Sequence, residues 1–197
     1  VSQSQQTGRI ADFAMRLADP LAIRLYKVNI TPDRLFTAGI LSAVVGVACV
    51  AYQQLFWAGI FYLISGICDL LSSSMARMIG SGSRFALFIG RVLDRVAEGL
   101  MYAAITYYYG VTGPDLMVGV SAVVMLNVYL VDLMNASTVM WQLPVHRELL
   151  TRIERLLLII GGLLLNIIGL VIFALFFVST IVVLQKIIHI GNTLRDE

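Results

Sequence analysis

The sequence predicts an all-α integral membrane protein of six transmembrane helices preceded by an amphipathic interfacial helix. Three observations lead there. Hydrophobic residues make up 59% of the chain and charged residues 13%, and the mean hydropathy is +0.87, far outside soluble averages. The apolar residues gather into separate stretches of roughly 20 residues, each long enough to cross a hydrocarbon layer about 30 Å thick as a helix. All 14 lysines and arginines fall on alternate connections or their helix ends, the pattern of cytoplasmic loops.

Residues 1–30 form a polar N-terminus and a juxtamembrane helix. From Gly8 to about Lys27, Ile10, Phe13, Ala14, Leu17, Leu21, Ile23 and Leu25 recur near helical spacing, with Arg9, Arg16 and Arg24 between them. That pattern suits a helix lying on the membrane surface. It lacks the compact apolar region and cleavage site of a signal peptide, so the first span is expected to act as its own insertion signal. Asn29-Ile30-Thr31-Pro32 supplies a cap residue and a proline for the first turn of the next helix.

The membrane domain covers residues 31–192, with spans expected at 33–52, 55–77, 85–109, 115–140, 149–166 and 169–190 and a cytoplasmic tail at 193–197. Residues 156–185 hold no charge. As one helix such a stretch would be about 45 Å long, which overshoots one crossing, so a tight turn is placed near Asn166 to Gly169. The connections around Tyr52 to Leu55, Gly110 to Pro114 and Asn166 to Gly169 contain no lysine or arginine. Five or seven spans would scatter the charges, whereas six keep both termini and the charged face cytoplasmic. Phe56, Trp57 and Tyr107 to Tyr109 mark the outer boundary.

A net charge of +2 gives no case for a nucleic-acid partner. Cys49 and Cys68 lie inside apolar stretches and read as small hydrophobes, not as a disulfide framework or a multi-cysteine metal site. No paired broken helices occur in two matching halves, which disfavours a transporter or channel.

Ionisable residues inside apolar helices are costly and point to function. Asp69 and Ser72-Ser73-Ser74 sit late in the second span, Asp94 and Glu98 in the third, and Asp132 in the fourth between Asn127 and Asn135. Asp69 and Asp94 fall near the cytoplasmic ends of two helices that form a hairpin, where their carboxylates could face each other.

The stretch from Asp69 to Arg95 resembles the signature of the CDP-alcohol phosphatidyltransferases: Asp, any two, Asp-Gly, any two, Ala-Arg, any eight, Gly, any three, Asp, any three, Asp. Asp69 takes the first aspartate, Ala76-Arg77 the Ala-Arg pair, Met78 to Phe85 the spacer and Asp94 the last aspartate. Ala18-Asp19-Pro20-Leu21, Ile30-Thr31-Pro32-Asp33-Arg34-Leu35 and Ile153-Glu154-Arg155-Leu156 are also similar to the family. The resemblance thus covers nearly the whole chain, and it implies a six-span membrane fold, commonly a homodimer.

It also implies a chemistry. Four aspartates from two adjacent helices hold divalent cations, Mg2+ or Mn2+. These neutralise the pyrophosphate of a CDP-linked lipid or alcohol while an acceptor alcohol attacks phosphorus and CMP leaves. Asp69 and Asp94 correspond to metal positions and Asp94 to the proton acceptor. Positions 73, 76, 77 and 86 correspond to the nucleotide contacts, here Ser73, Ala76, Arg77 and Ala86.

The chain departs from this signature at four places. Ser72 replaces the second aspartate, Ser73 the first glycine, Ala86 the second glycine and Gly90 the third aspartate. Two carboxylates are lost, and Ser73 and Ala86 add side chains where bare backbone would admit a nucleotide. Sliding the register by four to use Gly90, Asp94 and Glu98 restores acids but lengthens the spacer to twelve.

The departures imply impaired catalysis with weak or absent metal binding, one ion between Asp69 and Asp94 remaining conceivable. A pseudoenzyme serving as a structural or lipid-binding subunit of a membrane complex is the alternative. A divergent active enzyme using Asp69, Asp94 and Glu98 is another.

Other roles stand beside these. Asp69 and Asp94 would equally serve packing if paired to Arg77, Arg91 or Arg95, and Asp132 a buried hydrogen bond. Ser72 to Ser74 are expected to bond backward to helix carbonyls, and His146 and His189 to lie at membrane edges. Gly39, Ser42, Ala43 and Gly46 give the first span a small-residue face, for internal packing or for a dimer seam.

Overall fold

The computed structural model describes residues 18–26, 28, 30–79, 84–140 and 151–195, and among them there are seven helices and no strand. Helix α1 covers residues 18–26. It is followed by α2 (Pro32–Ala51), α3 (Leu55–Ile79), α4 (Arg84–Thr112), α5 (Asp115–Met140), α6 (Arg152–Leu164) and α7 (Ile168–Arg195). The expected helix over 8–17, and His146 with Arg147, lie outside the described residues.

Helices α2, α3, α5 and α7 are each long and apolar enough to cross a membrane, and the chain is a multi-pass membrane protein. Helix α4 carries Arg84, Arg91, Asp94, Arg95 and Glu98, and α6 has only 13 residues, so neither meets that standard on length and composition. The fifth segment is shorter than its expected 149–166, and α7 runs on to Arg195 through most of the expected tail.

Helix pairs α2–α3, α3–α6, α6–α7, α7–α5, α5–α4 and α4–α2 pack on one another, so the six long segments close into a ring. Inside it Met101, Tyr102, Ile105, Val124, Ile159, Leu163 and Ile172 are fully buried. Lipid tails are as apolar as these side chains, so cohesion in a bilayer rests on close packing and interhelical hydrogen bonds rather than on a hydrophobic difference.

The small-residue face of α2 supplies such packing. A Cβ at Gly39 would lie 3.1 Å from Cys68 Cβ, and one at Gly46 3.3 Å from the Ala58 carbonyl; Ser42 Oγ donates to the Phe61 carbonyl at 2.7 Å. The face is therefore spent inside the protein, against α3. Between α5 and α7, Asn127 Nδ2 donates to Ser179 Oγ at 3.2 Å and Thr180 Oγ1 at 3.0 Å.

The helix ends follow from local sequence. Pro32 opens α2 after an extended Thr31, a position where its missing N–H costs nothing. Two tight turns reverse the chain after α2 and α6. Gln54 N donates to the Cys49 carbonyl and Gln53 N to Val50; Ile167 N donates to Gly162 and Asn166 N to Leu163. Both are Schellman closures, with Gln53 at φ 63° and Asn166 at φ 57° in the left-handed position usually held by glycine. The second falls within the turn expected near Asn166.

Helix α1 docks on the opposite end of the ring. Ala18 and Ala22 pack with Leu71 and Met75 of α3. Ser74 Oγ donates to Asp19 Oδ1, and Arg77 lies 3.8 Å from the same carboxylate. Ser72 Oγ donates to the Pro32 carbonyl at 3.0 Å. The expected backward bonds of Ser72 and Ser74 are thus replaced by bonds to neighbouring helices, because α1 and the start of α2 lie within reach of that face of α3.

Candidate functional site

The hairpin α3–α4 brings Asp69 and Asp94 to one small cavity of about 30 Å3 lined by Tyr62, Ser65, Gly66, Ala97, Glu98, Arg152, Leu156 and Ile159 as well. That volume suits a water or two. Asp94 and Glu98 stand one turn apart on the same face of α4, and Gly66 admits α6: a Cβ there would meet Leu156 Cδ2 at 3.1 Å.

Helix α6 supplies the positive charge. Thr151 caps it with a reciprocal box: its backbone N–H donates to Glu154 Oε2 at 2.7 Å, and Glu154 N donates to Thr151 Oγ1 at 3.5 Å. This sets Arg152 at the first helical position and Arg155 one turn on. Arg152 donates to Asp94 Oδ1 and reaches Asp69 Oδ2 at 4.0 Å and Glu98 Oε2 at 3.9 Å. Arg155, buried, donates to Glu98 Oε1 at 3.4 Å. Arg95 donates to Glu98 Oε2 at 3.0 Å and pairs with Asp132.

This corrects the expected packing partners. Among the described interactions Asp69 and Asp94 pair with Arg152 of α6, while Arg77 turns to Asp19 and Arg95 to Glu98 and Asp132. Asp132 is paired with Arg95. His189 is half-buried in α7.

Of the positions matched to nucleotide contacts, Ser73 and Arg77 are exposed and Ala76 half-buried, and none of the three lines the cavity. Ala86 belongs to α4, one turn before Gly90. Arg152, Glu98 and Tyr62 are among the lining residues that the signature does not single out. The capping box Thr151-x-x-Glu154 was the available signal for Arg152, since it places that residue at the start of a helix.

The donor set does not fit a divalent-cation centre. Mg2+ or Mn2+ wants several oxygens around it, yet Ser72 is committed to the Pro32 carbonyl, position 90 has no side chain, and a guanidinium lies against both remaining aspartates. Among the described residues no three His, Cys, Asp or Glu side chains are grouped to hold a metal. The two cysteines are unpaired and half-buried.

Comparison with known proteins places these features. No protein-family model matches the chain. The phosphatidylinositol phosphate synthase of Mycobacteroides abscessus is 27% identical over 150 residues, which is 75% of this chain and 68% of that protein. An uncharacterised Aquifex aeolicus protein is 22% identical over 189 residues, 96% of each chain. The crystal structure of Mycobacterium tuberculosis phosphatidylinositol phosphate synthase with manganese and citrate superposes at a TM-score of 0.75 with 20% identity, covering 86% of this chain and 87% of that one. The same enzyme with CDP-DAG bound gives 0.74 and 21%, covering 87% and 92%. By sequence the chain is homologous to the phosphatidylinositol phosphate synthases of the CDP-alcohol phosphatidyltransferase family, and it shares their fold.

Proposed function

We propose that this protein is a CDP-alcohol phosphatidyltransferase-like membrane protein that keeps the family's membrane fold and an affinity for CDP-linked lipid while its phosphatidyl transfer is impaired. The observation that carries this reading is the state of the four signature aspartate positions. Asp69 and Asp94 converge on one cavity, but Ser72 is bonded to the Pro32 carbonyl and position 90 offers no ligand. Phosphoryl transfer depends on charge stabilisation at the transferring phosphorus, and half of the carboxylates that would organise it are gone. The CDP-DAG-bound mycobacterial structure supports the choice of lipid.

Six crossings with both termini and the signature face cytoplasmic complete the proposal, resting on the one-sided lysines and arginines. The test is CMP release from CDP-diacylglycerol by the purified protein with Mn2+ or Mg2+, beside the variant S72D/S73G/A86G/G90D. A side chain at position 90 has room, since its Cβ would lie 3.7 Å from Phe36. Silence from the unmodified protein and release from the variant support the reading; release from the unmodified protein overturns it.

One observation favours a second reading, a divergent active enzyme: Glu98 lines the same cavity as Asp69 and Asp94. Release by the unmodified protein that both Glu98→Gln and Asp94→Asn abolish would establish that reading.

A further inference from the structure

The cavity acids already have a cation. Asp69, Asp94 and Glu98 come from two helices, and Arg152 from a third is within 4.0 Å of all three. Arg95 and Arg155 also reach Glu98, and Asp132 adds a fourth carboxylate through Arg95. Four carboxylates against three guanidiniums leave a single negative charge, so a divalent ion would leave this half-buried site net positive.

The place of Arg152 is itself informative. The first turn of a helix carries unsatisfied N–H groups and a partial positive charge, which disfavours a cationic side chain there. The capping box commits α6 to starting at this residue, and the carboxylates of α3 and α4 are what balance it.

We propose that Arg152 is a built-in cation of the acidic cavity: its guanidinium takes the charge-neutralising place between Asp69 and Asp94 and excludes a divalent ion while it is seated. This rests on the impaired-transfer reading for its significance but not for its test. Two positive charges cannot share the gap between the same two carboxylates without strong repulsion. A planar guanidinium with fixed donors holds such a position better than a flexible ammonium would.

The experiment is Mn2+ binding by the purified protein, followed by loss of the free-ion paramagnetic signal, in four proteins: unmodified, Asp94→Asn, Arg152→Gln and Arg152→Gln/Asp94→Asn. Binding that Asp94→Asn removes reports the cavity. The expected result is no such binding in the unmodified protein at millimolar Mn2+, and a site at least tenfold tighter in Arg152→Gln that disappears in the double variant.

Cavity binding by the unmodified protein overturns the proposal, and so does a folded Arg152→Gln that gains no site. Should Arg152→Gln fail to fold, the unmodified protein against Asp94→Asn still decides. CMP release without cavity Mn2+ would sink the impaired-transfer reading and leave this one standing. Cavity Mn2+ binding by the unmodified protein without CMP release would do the reverse.

Discussion

Arg152 at the start of α6 and Asp94 in α4 form an ion pair between two helices that Arg155 and Glu98 also bridge. Arg152 is 33% and Asp94 22% exposed at the side chain, so the pair lies between the weak surface bridges and the costly buried ones. Removing either partner leaves the other charge half-buried.

The energetic consequence is non-additivity. Asp94→Asn and Arg152→Gln should each destabilise the protein by about 2 kcal/mol, and the double variant should lose less than their sum by about 1 kcal/mol. Reversible unfolding in mixed micelles measures the cycle. Strict additivity would mean that the pair carries no coupling.

Much of this arrangement was legible beforehand, and what escaped did so for a physical reason. Hydropathy and the one-sided distribution of lysine and arginine located the segments, the turn at Asn166 and the convergence of Asp69 with Asp94. Spacing along one helix says which residues share a face, so Asp94 and Glu98 could be placed together. It says nothing about which residue of a helix 58 positions later will arrive opposite Asp94. The sequence marks Arg152 only as one more basic residue near a helix end. The serines escaped similarly, since backward bonding is the local option and Pro32 and Asp19 became available only through tertiary packing.

The capping box that orients Arg152 is separable from the charge it carries. Thr151→Ala should cost about 1 kcal/mol, because Glu154 N and the N-cap amide both lose their partners in part. Its signature would be faster amide exchange at the first turn of α6 with little change in α7. Uniform exchange throughout the ring would show that the box is not a local determinant.

Gly59 tests the close approach of α3 and α6. A Cβ there would lie 2.9 Å from Leu164 Cδ2 and 3.0 Å from Leu164 N, and the backbone atom cannot swing aside. Gly59→Ala should therefore destabilise by about 1–3 kcal/mol as an overpacking substitution. Adding Leu164→Ala relieves only the side-chain part, so the pair should recover part of the loss. Full recovery would mean that α6 shifts freely against α3.

The two left-handed closures make opposite use of their residues. At φ 63° Gln53 holds a conformation that glycine adopts without steric cost. Its backbone bonds to Val50 do not depend on the side chain. Gln53→Gly should raise stability by about 1 kcal/mol in the same unfolding assay. Asn166 sits at φ 57°, but asparagine tolerates that region better than glutamine does, so Asn166→Gly should gain distinctly less. An equal gain at both positions would show that side-chain identity in these turns is immaterial. A loss at Gln53 would mean that its side chain makes a contact outweighing the backbone strain.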